Sequence, residues 1–136
     1  MTELPKDMRA HNHALIESWR THGAPPGRQL LLLTTTGRRS GQARTTPMMY
    51  VPDSDRLLVI AANAGAVRHP DWYLNLVADP RVRVEVSDQS YDATATPLAG
   101  AERAEVFARI VADYPFFGEY QERLEREIPV VALVRT

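Results

Sequence analysis

Gly37-Arg38-Arg39-Ser40-Gly41, with Arg44 three residues on, is the most chemically loaded stretch of the chain. Two glycines permit a tight turn that exposes backbone N–H groups. Arg presents a rigid, always-charged fork of donors, and the Ser hydroxyl adds another. Donors of that kind, converging in so short a segment, suit a phosphate or a run of carboxylates. The same residues also suit a solvated hairpin turn, and on this segment alone the two readings stand level.

Three further segments could shape a site around that turn. Pro47 interrupts a strand-like run, Thr45 to Tyr50, so it marks a sheet edge or a bulge. Ala61-Ala62-Asn63-Ala64-Gly65-Ala66 is a run of small residues that lets a planar ring or another backbone approach closely. His69-Pro70-Asp71-Trp72-Tyr73-Leu74-Asn75-Leu76 follows it with aromatic rings and an amide. Each has an ordinary alternative: an edge strand, a packed loop, a core Trp.

Composition removes several chemistries. The chain has 136 residues and no Cys, which excludes a thiol nucleophile, a dithiol and a Cys-ligated metal or cluster. His11 and His13 lie two apart on an expected helix and cannot share one ligand, and His22 and His69 are remote, so no metal site is expected. There is no Gly-x-Ser-x-Gly elbow, no Walker loop and no Gly-x-Gly-x-x-Gly after a strand. Redox chemistry here would reside on a bound cofactor.

Charge is unevenly spread. Of the sixteen basic residues only Lys6 is not Arg, and the formal net charge is -1. Residues 1–68 carry nine basic and five acidic groups, whereas residues 69–136 carry seven and twelve. From Ser18 to Pro52 there is no carboxylate but there are five Arg: Arg20, Arg28, Arg38, Arg39 and Arg44. A local anion site fits this better than bulk charge, and the pI of about 6.4 argues against a nucleic-acid partner. The Arg outside the hairpin are expected to be ordinary surface residues. No apolar run reaches the roughly 18 residues of a membrane span, and the N-terminus has no secretory core, so a cytoplasmic location is expected.

These groups need elements to hold them. A helix starting near Pro5 should pack Met8, His11, Leu15 and Trp19, and end at Gly23. Strands are expected at 29–35, 43–51, 56–62, 81–86, 90–96 and 129–134. Helices should cover 70–78, 101–114 and a short stretch to about residue 126, on either side of Pro115. Six short strands without βαβ alternation predict a mainly β, α+β chain: a six-stranded, largely antiparallel barrel with peripheral helices. The two most apolar strands, 29–35 and 129–134, are expected to pair near its middle. One domain is expected, residues 1–27 forming a helix and breaker and residues 28–136 the barrel.

Four segments in series carry a family resemblance: Thr35 to Pro47, Ala62 to Gly65, His69-Pro70-x-Trp72-Tyr73-x-Asn75-Leu76, and Ile128 to Leu133. Over about residues 28–136 the chain resembles the deazaflavin-dependent nitroreductases. The resemblance implies a split β-barrel related to flavin mononucleotide-binding proteins. It also implies binding of coenzyme F420 and hydride transfer to a quinone, nitro compound or other activated organic acceptor. By motif position, Gly37, Arg38, Arg39, Ser40, Gly41 and Arg44 would hold the anionic phosphodiester and oligoglutamate tail. Thr46, Pro47 and Met48 would line the ring edge, Ala62, Asn63 and Ala64 would flank it, and Trp72 would shape the pocket. Met49, Tyr50 and Phe117 would line the acceptor pocket, with Tyr114 and Tyr120 as candidate proton donors alongside water. Phe117 and Met49 stand where relatives carry tyrosines, which leaves the acceptor open. The alternatives are a flavin mononucleotide (FMN)-dependent reductase on the same barrel and a non-catalytic cofactor or lipid carrier. A homodimer, and peripheral membrane contact through the N-terminal helix, complete the expected partners.

Overall fold

The computed structural model describes residues 8–136. The expected start of the first helix at Pro5 lies outside them. Helix α1 runs Met8–His22 and closes where Gly23, at φ +84°, donates its N–H to the Trp19 carbonyl. Its packed side differs from the expected stripe. Trp19 is buried and Asn12, Leu15 and Ile16 are half-buried, but Met8 and His11 are exposed. The inward face is thus rotated away from His11.

Strands β1 (Leu30–Thr36), β2 (Ala43–Met49), β3 (Val51–Asp53) and β4 (Arg56–Ile60) come next. A single turn at Asn63–Gly65 and helix α2 (Asp71–Ala78) lead to β5 (Arg81–Val86) and β6 (Gln89–Pro97). Helices α3 (Gly100–Asp113) and α4 (Phe116–Arg123) precede the last strand, β7 (Val130–Arg135). All pairings are antiparallel, in the order β2-β1-β5-β6-β7-β4-β3.

That order forces the sheet to curl. Laid flat, seven strands about 4.8 Å apart would separate the outer two by roughly 29 Å. Yet those outer strands, β2 and β3, are joined by Tyr50 alone, and two Cα steps reach at most about 7 Å. The sheet is therefore strongly curled, and its two outer strands come together at that residue. The expected mixed α+β architecture with a curled antiparallel sheet holds, but there are seven strands rather than six. The segment read as one strand over 43–51 changes partner midway: Ala43–Met49 pairs with β1, and Val51–Asp53 pairs with β4.

The strand pairing also needs correction. β1 lies between β2 and β5, and β7 lies between β6 and β4, so the two most apolar strands do not touch edge to edge. Both are interior strands, and this explains their continuous hydrophobicity without a mutual pairing. Leu31, Leu32, Leu33, Val130 and Val131 are all fully buried. Pro47 sits on β2 opposite Leu32, at an edge where its missing N–H costs no ladder bond. One apolar cluster, around Leu33, Val84 and Leu133, packs with Met48, Tyr50 and Trp72. A second, around Leu58, Phe107, Phe117 and Tyr120, joins α3 and α4 to the sheet and takes in Met49 and Tyr114.

Candidate functional site

The hairpin between β1 and β2 is built from its own donors. Gly37 N–H donates to the Gln42 carbonyl and Gly41 N–H to the Gly37 carbonyl, both at 2.8 Å. The Gln42 amide donates to Ser40 Oγ at 3.1 Å. Because that oxygen accepts, its own proton is free to donate outward. Among the described residues no acceptor within the chain takes the Arg39 or Ser40 amides.

Asn75 fixes this turn to the rest of the molecule. It is buried on α2, and its Oδ1 accepts from the Arg38 amide at 3.2 Å and from Arg38 Nη1 at 2.9 Å. Its Nδ2 donates to Thr35 Oγ1 at 3.2 Å, so one side chain ties β1, the turn and α2 together. Arg38 also reaches Asp71 Oδ1 at 3.3 Å, and Arg68 shares that carboxylate at 3.1 Å. Arg38 is committed to the scaffold. Arg39 and Arg44 make no hydrogen bond or ion pair among the described residues, and they line a groove of about 950 Å³.

That groove gathers much of the expected constellation: Gly37, Arg38, Arg39, Ser40, Arg44, Thr46 and Trp72 all line it, with Asn75 at its base. Gly41 instead faces a separate cavity of about 550 Å³ beside Arg83 and Thr136. Met48 points into the barrel cluster that Trp72 also contacts. Among the described residues the only carboxylate lining the groove is Asp71, already shared by two guanidiniums. A cationic groove with unpaired forks and free amides fits an anionic ligand with several charges.

The small-residue segment forms a left-handed turn. Asn63, Ala64 and Gly65 have φ of 50°, 53° and 83° in succession, a conformation that costs energy at the two non-glycine positions. Arg126 holds it there. Its guanidinium donates to the carbonyls of Ala61 at 3.2 Å, Ala62 at 2.9 Å and Ala66 at 2.9 Å, and to His69 Nδ1 at 3.3 Å. Burial, and secondarily the Arg126 charge, push the His69 imidazole below its usual pKa, so it stays neutral and accepts at Nδ1. Ala62 is buried, while Asn63 and Ala64 are exposed. The Asn63 side chain turns inward to the Arg68 carbonyl at 2.9 Å. No acceptor within the described chain takes the Asn63 or Ala64 amides.

The acceptor-side residues divide between two faces. Met49, Tyr114, Phe117 and Tyr120 belong to the helical cluster, whereas Tyr50 packs with Trp72 in the barrel cluster. Neighbouring residues of an extended chain point to opposite sides, so Met49 and Tyr50 do not converge. Tyr114 is half-buried, with its hydroxyl 3.4 Å from Gln29 Nε2. Tyr120 is buried with its ring against Gly65, where a Cβ would sit 2.8 Å from Cδ1.

Arg126 and Asn75 do structural work that the sequence reading did not assign to them. Arg126 lies between Glu125 and Glu127, which reads locally as surface. Arg103 is a second exception to the ordinary-surface reading: buried on α3, it donates to the Ile128 carbonyl at 2.7 Å and stacks over Phe107. Arg9, Asn12, His13 and Ile16 of α1 also line the groove. Their i, i+3, i+4, i+7 spacing on a helix was the available signal.

Comparison with known proteins adds the family. The family described as F420H(2)-dependent quinone reductase matches residues 7–135. The F420H(2)-dependent quinone reductase Rv1261c of Mycobacterium tuberculosis is 38% identical over 121 residues, covering 85% of this chain and 78% of the relative. A solved structure described as an F420-H2 dependent reductase, FDR-A, superposes with a TM-score of 0.71 at 38% identity, covering 78% of this chain and 94% of that one. Another, described as a domain-swapped dimer, gives a TM-score of 0.73 at 35% identity over 92% of this chain and 95% of that one. On sequence and architecture together, the chain belongs to the F420H(2)-dependent quinone reductase family.

Proposed function

We propose that this chain is a reductase that binds coenzyme F420 across the β1–β2 hairpin and the Asn63–Gly65 turn, and delivers reducing equivalents to a quinone or another activated organic acceptor. The observation that carries the reading is the pair Arg39 and Arg44, both without a partner among the described residues and both lining one cationic groove. The phosphodiester and oligoglutamate tail would lie against them, the Ser40 hydroxyl and the free amides of the turn. Thr46, Pro47 and Met48 would meet the ring edge, Ala62, Asn63 and Ala64 would flank it, and Trp72 would bound the pocket. When bound, the coenzyme supplies the hydride.

The protein's own part is orientation, exclusion of water and management of one proton. Asn75 and Arg126 keep the hairpin and the small-residue turn in fixed relation without touching the reacting atoms. On the acceptor side, Met49, Phe117 and Tyr120 give an apolar wall, and Tyr50, which packs in the other cluster, does not join it. Tyr114 is the better candidate proton donor. Gln29 donates to its hydroxyl oxygen, which leaves the phenolic proton directed elsewhere, and the group is only half-buried. The FMN alternative gives way to the family assignment, and the carrier alternative is separated by turnover. A homodimer is the assembly we favour, on the strength of the domain-swapped dimer among its relatives. Among the described residues no helix is long and apolar enough to cross a membrane.

The test is titration of the purified protein with coenzyme F420 and with FMN, followed by turnover of a quinone such as menadione by the reduced coenzyme. Binding of F420 with quinone reduction is expected. Tight binding of FMN alone would overturn the cofactor reading, and F420 binding without turnover would leave a carrier.

A further inference from the structure

The groove has a second wall that the hairpin does not supply. Arg9, Asn12, His13 and Ile16 form one face of α1, and all four line the same cavity as Arg39 and Arg44. No ion pair among the described residues engages Arg9. Arg9 on one wall and Arg39 and Arg44 on the other therefore share a groove in which, among the described residues, the only lining carboxylate is Asp71, already taken up by Arg38 and Arg68. Like charges lining one cavity are unfavourable unless an anion sits between them.

Size points the same way. At about 950 Å³ the cavity lies at the upper end of ligand clefts and is far larger than one phosphate ester needs. Helix α1 is tied down at its far end: Trp19 is buried, and Arg20 pairs with Glu85 of β5. His13 is turned toward Glu17 at 3.2 Å, yet its ring still borders the cavity.

We propose that α1 is the second wall of the tail site, with Arg9, Asn12 and His13 binding the outer carboxylates of a polyanionic tail whose inner charges lie on Arg39 and Arg44. The ligand class is a phosphodiester extended by a chain of carboxylates, and affinity rises with the length of that chain. This rests on the coenzyme reading above.

The experiment measures equilibrium binding by coenzyme fluorescence at low salt. Its probes are long-tailed F420, short-tailed F420 and the deazaflavin riboside, which has neither phosphate nor tail. Wild type is expected to bind in that order of decreasing affinity. The double variant Arg9→Ala, His13→Ala should lose roughly tenfold for the long-tailed form, as expected for loss of one charge-assisted contact. It should bind the riboside as wild type does, and Arg9→Lys should restore most of the loss. In wild type, the long-tailed coenzyme should slow hydrogen exchange of the α1 amides more than the short-tailed form does. Unchanged long-tail affinity in the double variant, an equal loss for all three probes, or no tail-dependent protection of α1 would each overturn the proposal. If Arg39→Ala with Arg44→Ala still weakens tailed F420 in that case, the coenzyme reading survives and only the role of α1 falls. If wild type binds the riboside as tightly as either tailed form, both fall together.

Discussion

At the scale of single residues, the unpaired Arg39 and Arg44 differ in kind from Arg38, which is spent on Asn75 and Asp71. Arg38→Ala should therefore reduce stability as well as binding. Arg39→Ala with Arg44→Ala should leave thermal stability nearly unchanged and weaken F420 binding by roughly ten- to a hundredfold at low salt, an effect that shrinks as salt is raised. Melting curves beside fluorescence titrations check the split. Asn75→Ala removes a buried group and its three hydrogen bonds to Arg38 and Thr35, and should cost about 1–3 kcal/mol, read from urea denaturation, with weaker cofactor binding because the turn is no longer pinned. The hairpin was legible in the sequence because its donors are neighbours in the chain. Arg126 was not, because its partners at residues 61–69 lie some sixty positions away and its flanking carboxylates imitate a solvated surface.

At the scale of elements, the left-handed turn Asn63–Gly65 is the most constrained piece of the site. Gly65 combines φ +83° with the Tyr120 ring at the position of a Cβ. Gly65→Ala should destabilise by about 1–3 kcal/mol and displace Tyr120, visible as a change in tyrosine fluorescence. The neighbouring His69 gives the turn a pH response. Its folded pKa is held below the usual 6.5, so the unfolded chain takes up a proton first as the pH falls. The stability it contributes is complete above about 6.5 and is lost as the pH drops through the lower, folded value. Denaturation midpoints at pH 7.5 and 5.5 should fall further in wild type than in His69→Gln. Most elements were legible from period and breakers, because Pro and Gly punctuate nearly every boundary. The α1 face was misread because His11 stood at a packed position of the assumed stripe, and a half-polar helix leaves its rotation to tertiary contacts.

At the scale of the molecule, the sheet depends on its last strand. β7 is the only link from β6 to β4 across the ladder, and Val130, Val131 and Leu133 are almost wholly buried. Each such side chain contributes about 1.5–3 kcal/mol, against a total stability of about 5–15 kcal/mol for a typical domain. Truncation before Pro129 should therefore give an unfolded or aggregated chain, checked by circular dichroism and gel filtration. Antiparallel pairing and curvature were readable from strand length and turn spacing. The partners of β1 and β7 were not, because hydrophobicity reports how deeply a strand is buried and carries no record of its neighbours. The seam at Tyr50 escaped notice for a related reason: a change of partner leaves no mark on the alternation of side chains.

The position of β7 also sets an order of assembly during synthesis. By the time residue 97 has left the ribosome, β2, β1, β5 and β6 can already lie side by side with the Arg38–Arg44 hairpin complete. The β3–β4 hairpin, by contrast, is joined to them only through Tyr50. It waits for β7 to emerge and bridge it to β6. Such distant pairings are slow to form, so the half carrying Arg39 and Arg44 can take shape while the half facing Tyr114 is still an open edge. A chain that has emerged only as far as β6 would still lack the strand that joins β4 to the rest of the sheet.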